Sequence, residues 1–343
     1  MKILIIRRDN IGDLICTTPM FQALRDKYPE AYIAAYVNSY NKTVLQGNPY
    51  LNDVFVYTKA KHRDDKTSLW SVYRDKIRLT WQLRTEKFDY IILAGSTFTG
   101  RALKFAQILK PKHIIGYCNE EKDDCKAIDL PLPTASAKDK HETEATFALL
   151  EKLDIHQSPG STLIVPAPEY CLGASEQVAT AFMKQSYESI IGIHISARKP
   201  SSRWAINNYA SLIQRLYENN KESVFLLFWA PGSKANKLHP GDDESAVELL
   251  NQLNGIPVYA FKTEVLEELI AGLSLCNTVI CSDGGAMHIA AALSKPMVCF
   301  FGNSDASHWY PWGIKHRLIQ PDSLDVVDVS VDETFRVYQT LSS

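Results

Sequence analysis

Three short stretches of this chain bring together residue types that could handle a phosphate or a proton. The first is Arg7-Arg8-Asp9-Asn10-Ile11-Gly12-Asp13, which follows an apolar run, Lys2–Ile6. Gly12 permits a tight backbone turn. Asp13 lies close to a helix expected to begin near Thr17-Thr18-Pro19, where a carboxylate serves either as a helix cap or as a general base. The loop lacks a GxGxxG pattern, which argues against a dinucleotide fingerprint here. The second stretch, Cys281-Ser282-Asp283-Gly284-Gly285-Ala286-Met287-His288, runs from an apolar segment through a glycine pair into an alanine-rich helix. Exposed N–H groups of a first helical turn, backed by the helix dipole, suit a diphosphate. A tight turn with Ser282 or Asp283 as N-cap has the same geometry. His288 reads as a phosphate contact or as a packed histidine. The third, Gly192 to Trp204, carries Arg198, Lys199 and Arg203 among Ser196, Ser201 and Ser202. It can grip phosphate oxygens or simply be a solvated basic loop.

The elements around these stretches form two series. Candidate strands lie at Lys2–Ile6, Ala31–Val37, Val54–Tyr57, Tyr90–Leu93 and His113–Gly116. The second series is Ile190–Ile195, Val224–Phe228, Val258–Ala260, Thr278–Cys281 and Met297–Phe301. Helix-length patterns separate them, the signature of βαβ units and parallel sheets. The breaker-rich stretch at Ser158–Glu169, SPGSTLIVPAPE, marks the boundary between two doubly wound α/β domains. Ligands of such domains bind beyond the carboxyl ends of the strands, where all three stretches fall.

Composition narrows the class. The 343 residues are 45% hydrophobic and 22% charged, which excludes wholesale disorder, and no apolar run reaches the length of a membrane-spanning helix. The opening MKILIIRRDN is too short in apolar residues for a signal-peptide core and reads as a buried strand. Residues 1–150 hold 23 Lys and Arg against 18 Asp and Glu, a net of +5; the rest hold 14 against 21, a net of −7. The first half is therefore the one suited to an anionic partner. Seven cysteines without CxxC spacing read as small buried hydrophobes in a reducing cytoplasm. The segment Ser68–Lys87 has apolar residues near helical spacing and five cations. It reads either as a basic amphipathic helix resting on anionic lipid or as an ordinary surface helix.

Taken together, these motifs resemble glycosyltransferase family 9, the heptosyltransferases. Arg7, Asp9, Ile11, Gly12, Asp13, Thr18 and Pro19 match its R-x-D-x-I-G-D-x-x-x-x-T-P signature, and His141-Glu142-Thr143-Glu144 is similar to its H-E-x-x stretch. Ile193–Trp204 is similar to its H-P-G-A…K-R-W loop. Asp283–Leu293 with Lys295-Pro296 and Phe301-Gly302 is similar to its D-S-G-P-M-H-L-A-A-A-L-G-K-P…F-G block. There are departures. Ser202 stands in the usual lysine place, His194-Ile195-Ser196 replaces H-P-G, Gly285-Ala286 replaces G-P, and Asn303-Ser304-Asp305-Ala306 replaces P-T-D-P. The loop from Pro231 to Asp243 is longer than usual.

The resemblance implies an α/β chain of the GT-B class, two Rossmann-like doubly wound domains facing across a cleft. Residues 1–160 would bind the acceptor and residues 161–325 the nucleotide sugar. Residues 326–343 would form a tail or helix returning to the first domain. It implies inverting sugar transfer from a nucleotide-sugar donor, an ADP-sugar such as ADP-heptose, to an anionic glycolipid of the lipopolysaccharide core. It further implies that no cofactor or metal would be required and that no nucleic acid would be involved. Asp13 would be the catalytic base. Ser196, Lys199, Arg203, Gly284, Gly285, Ala286 and His288 would bind the donor diphosphate, with Asp283 orienting that site. Arg7, Asn10 and Gly12 would lie on the acceptor side. The enzyme would be cytoplasmic, peripheral on the inner membrane's cytoplasmic face. Three other readings compete: another nucleotide-sugar-dependent transferase of surface polysaccharide synthesis, a GT-B-like nucleotide-sugar epimerase, and a non-catalytic binding protein that retains the fold.

Overall fold

The computed structural model describes residues 1–58, 69–119, 123–235 and 241–342. The chain divides into two compact units, Met1–Val165 and Pro166–Ser343.

The first unit is a six-stranded, all-parallel sheet in the order β3-β2-β1-β4-β5-β6. The strands are β1 (Lys2–Ile6), β2 (Tyr32–Asn38), β3 (Asp53–Tyr57), β4 (Tyr90–Leu93), β5 (His113–Cys118) and β6 (Leu130–Pro133). Its helices are α1 (Ile11–Lys27), α2 (Leu69–Thr85), α3 (Gly100–Leu109) and α4 (Glu142–Ala148). Leu4, Ile6, Tyr36, Ile91 and Leu93 pack with Leu103 and Ala106 of α3, as expected for parallel strands covered by helices. β1 pairs with β2 on one side and β4 on the other, so the chain reverses its winding at β1. The carboxyl end of β1, where Arg7 begins, is the switch point of this sheet.

The second unit repeats the scheme in the order β12-β11-β10-β7-β8-β9. Its strands are β7 (Ser189–His194), β8 (Ser223–Phe228), β9 (Val258–Ala260), β10 (Thr278–Ser282), β11 (Met297–Phe300) and β12 (His316–Ile319). The helices are α5 (Pro168–Ala181), α6 (Ile206–Asn219), α7 (Asp243–Asn251), α8 (Leu266–Leu275), α9 (Gly285–Ala292), α10 (Ala306–Trp309) and α11 (Val331–Ser342). Here the switch lies between β7 and β10, with Cys281 opposite His194. The basic loop and the glycine pair therefore leave adjacent strands at the same edge of the sheet.

Four expectations change. Helix α1 begins at Ile11, not near Pro19, so Gly12 and Asp13 belong to its first turn and Gly12 makes no tight turn. Pro19 sits inside the helix and has no N–H for the Ile15 carbonyl. The Thr18 hydroxyl donates to that carbonyl instead at 2.7 Å, and accepts the N–H of Leu163 at 2.9 Å. The Thr-Pro pair thus keeps the helix continuous and ties down the segment that ends the unit. Second, β6 and β12 were not read from the sequence. Each is a short edge strand, and β6 alternates leucine with proline, which only an edge tolerates. Third, the chain after β5 brings Cys118 and Cys125 within 5.5 Å between Cα atoms and they form a disulfide, so not all seven cysteines are free. Fourth, the C-terminal segment forms α11 and belongs to the second unit, packed on α6, β11 and β12 with Phe335 and Leu341 in the core.

Replacing Thr18 by Val keeps the shape but strands the Ile15 carbonyl and the Leu163 N–H. Chemical denaturation should show a loss of about 1–3 kcal/mol. A variant within about 0.5 kcal/mol of the parent would contradict this account of the Thr-Pro pair.

Candidate active site

Arg7 is the first residue past β1, its N–H still bonded to the Tyr36 carbonyl at 3.1 Å. Its side chain is buried, 3% exposed, among three carboxylates. Nη2 lies 2.7 Å from both Asp13 Oδ1 and Glu142 Oε1, and Nε lies 3.3 Å from Asp9 Oδ2. Burial alone would lower the guanidinium's pKa. Glu142, then Asp13, then Asp9 outweigh it and hold the group well above its ordinary value, so Arg7 is a permanent cation. Gly95 makes room for it: with φ +155°, a Cβ there would stand 3.1 Å from Arg7 Nη1.

Each carboxylate is fixed by its own element. Glu142 opens α4, where His141 Nδ1 accepts the N–H of Thr143 at 3.1 Å and Glu144 accepts the N–H of His141 at 3.0 Å. The Thr146 hydroxyl also donates to Glu142 Oε1, at 3.2 Å. Asp13 is the third residue of α1, and its Oδ2 accepts the N–H of Asn10 at 3.0 Å. The capping reading of Asp13 is thus realised, and it leaves the side chain 17% exposed with lone pairs to spare. The loop before the helix is stitched from beneath. The buried Asn38 donates to the carbonyls of Arg8 and Asp9 at 3.3 and 3.0 Å, and the buried Asn41 donates to that of Asp9 at 3.1 Å. Of the three acceptor-side candidates, Asn10 is exposed while Arg7 and Gly12 are buried. Arg7 therefore acts on Asp13 from below. Nearby, burial pushes the Cys16 thiol up to about 12, which leaves it unreactive.

In the second unit, β10 leads through Asp283 and Gly284 into α9. Gly284 is exposed, and nothing lies within 4 Å of where a Cβ would stand, so a ligand can reach the backbone. Lys199 Nζ donates to Ser304 Oγ at 2.9 Å, and that hydroxyl donates to Asp283 Oδ2 at 2.5 Å. The chain brings a lysine beside the glycine turn although Ser202, in the family's lysine place, is buried in a 3₁₀ turn. Gly302 allows this approach, since a Cβ there would fall 2.2 Å from the Ser201 carbonyl oxygen.

Other expected contacts are already engaged. Arg203 Nη1 donates to Asp242 Oδ1 at 2.7 Å, and Asp242 is buried. Ser196 Oγ accepts the N–H of Ala230 at 2.8 Å. His288 is buried with its ring edge-on to Trp309 at 6.0 Å, the packed reading of that residue. In the long loop, residues 236–240, including His239 and Pro240, lie outside the described residues. Its neck closes through Gly241 N–H to Ser233 O at 3.2 Å and Asp242 N–H to Ala230 O at 2.9 Å. Glu142, Asn38, Asn41, Ser304 and Asp242 were not assigned roles from the sequence. Glu142 had a signal there in the H-E-x-x match, Ser304 and Asp242 lay in stretches noted only as departures from the family, and Asn38 and Asn41 had none.

Two Rossmann-like domains, one with a fixed carboxylate at its switch point and the other with a glycine turn and lysine at its own, define a glycosyltransferase of the GT-B class. Residues 76–326 match glycosyltransferase family 9 (heptosyltransferase), and the chain belongs to that family. It is 24% identical over 337 residues to lipopolysaccharide heptosyltransferase 2 of Salmonella typhimurium, covering 93% of this chain and 88% of the relative. Among solved structures, a family 9 glycosyl transferase from Veillonella parvula superposes with a TM-score of 0.81 at 19% identity, covering 99% of this chain and 96% of the other. Escherichia coli ADP-heptose lps heptosyltransferase II gives 0.76 at 19% identity, covering 99% and 98%.

His194 ends β7, and burial pushes its pKa down to about 4, a shift that Asp242 partly opposes. The unfolded chain takes up this proton near pH 6.5 and the folded chain only near 4, so stability falls as pH drops through that window. Acid titration of unfolding should show roughly 3 kcal/mol lost between pH 7 and 4 that His194→Asn abolishes. An unchanged slope in the variant would contradict the assignment.

Proposed function

We propose that this chain transfers a heptose from ADP-heptose to a sugar of the lipopolysaccharide core, with inversion at the anomeric carbon. Family membership gives the sugar transfer. The names of the Salmonella relative and the Escherichia coli neighbour support the heptose, its ADP carrier and the acceptor class. The observation that carries the mechanism is Asp13, a partly exposed carboxylate fixed by Arg7 and Asn10 at the carboxyl end of β1.

In this reading Asp13 takes the proton of the acceptor hydroxyl as its oxygen bonds to the anomeric carbon. The bond from that carbon to the diphosphate breaks on the opposite face, and ADP leaves with the electron pair. The N–H groups of Gly284, Gly285 and Ala286 and the Lys199 ammonium meet the growing charge, so the residues supply the compensation that a metal would otherwise give. Asp283 faces Ser304 and orients Lys199 through that hydroxyl. Ser196 offers its hydroxyl proton to the phosphate, and Asn10 borders the acceptor. Arg203 braces the loop through Asp242. The acceptor is an anionic glycolipid, which puts the reaction at the cytoplasmic face of the inner membrane.

Asp13→Asn should lower kcat by about 10²–10⁴-fold while calorimetric ADP affinity stays at the parent value. Turnover near the parent rate would remove Asp13 as the base. Mass spectrometry of surface glycolipid from a strain lacking the gene should show a core shorter by one heptose. An intact core would remove the acceptor assignment.

A further inference from the structure

Helix α2 separates its apolar residues onto two faces. Leu83 is fully buried and Leu79 packs half-buried against the core of the first unit. Ile77 and Trp81 sit two residues out of phase with them, about 200° around the helix, and are 60% and 65% exposed. Ser68, the start of the segment singled out from the sequence, lies outside the described residues. An ordinary surface helix keeps its large apolar residues on the core side and polar ones outside. Here an isoleucine and a tryptophan one turn apart lie on the outward side.

Cations flank them. At 100° per residue, Arg74, Ile77, Arg78, Trp81 and Arg84 fall within an arc of about 120°. Arg74, Lys76, Arg78 and Arg84 are all exposed. The acid within this stretch is Asp75, which faces off the stripe and lies 3.6 Å from Arg74 Nε. Among the described residues, no helix is long and apolar enough to cross a membrane, so any lipid contact is made by lying on the surface.

We propose that the outward face of α2 docks on an anionic lipid bilayer, with Trp81 and Ile77 seated among the headgroups and Arg74, Arg78 and Arg84 against lipid phosphates. Tryptophan has an amphipathic ring suited to the headgroup level, and arginines beside it add electrostatic attraction. Charge decides against a second copy of this chain. A symmetric contact through this stripe would set arginine against arginine. The inference goes beyond the sugar-transfer reading, from which it is independent. If the acceptor is lipid-anchored, the same surface holds the first unit at the acceptor's plane.

The test is flotation of the full chain with vesicles of phosphatidylcholine, alone or mixed with phosphatidylglycerol, at low and high salt. The chain should float with the mixed vesicles and not the neutral ones, and salt should release it. Arg74→Gln/Arg78→Gln should lower partitioning about twenty-fivefold, fivefold per arginine. Ile77→Ser/Trp81→Ser should lower it at least about tenfold. Both variants change exposed side chains, so melting temperature and ADP binding should match the parent. Three results would overturn the proposal: no flotation by the parent, flotation indifferent to lipid charge and to the arginines, or a parent dimer that ignores vesicles and that Ile77→Ser/Trp81→Ser dissociates. Flotation without sugar transfer would count against the reaction alone, and transfer without flotation against this surface alone.

Discussion

A buried guanidinium organises the first half of this enzyme. Arg7 leaves β1 at the switch point of its sheet and meets carboxylates from its own loop, from α1 and from α4. An unpaired ion at that depth would be untenable, and removing one partner of such a pair costs roughly 3–5 kcal/mol. The consequence is geometric as well as energetic. Asp13 and Glu142 share one nitrogen at the same 2.7 Å distance, so the position of α4 bears on how firmly Asp13 is held. The Thr18–Ile15 bond keeps α1 intact behind Asp13, and α1 packs directly on α4.

The second unit builds its site from hydroxyls where the first uses charge. Ser304 stands between Lys199 and Asp283, keeping the cation next to the glycine turn without a direct ion pair that would consume it. Arg203, by contrast, is committed to the buried Asp242 and serves the loop. One basic loop therefore carries a cation committed to a buried carboxylate and a second that meets a hydroxyl beside the glycine turn.

Much of this was legible in the sequence because the two switch points are made by central strands. The central strands β1 and β4 and the edge strand β9 were read with their observed bounds, since each is an almost unbroken apolar run. β6 and β12 lack that signal because Leu130–Pro133 alternates leucine with proline and His316–Ile319 opens on a histidine and an arginine. The start of α1 was misread because a proline usually marks a helix entrance, and the hydroxyl that compensates for it inside a helix is a tertiary fact. The site followed the same rule. Asp13 and the glycine turn sit in local motifs, whereas Glu142 is 135 residues from Arg7 and its role emerges only when α4 packs on α1. Likewise helical spacing sets Ile77 and Trp81 on the face opposite Leu79 and Leu83, and only the packing of α2 shows which of the two faces is buried.

The central claim is that the charge on Glu142 keeps Arg7 from being wholly the partner of Asp13, the proposed base. The plateau kcat of Glu142→Gln against the parent, read beside its melting temperature, tests it most directly. With the amide in place, Arg7 turns its charge to Asp13, so kcat should fall roughly tenfold. A variant that is merely less stable, with kcat where the parent has it, would contradict the claim.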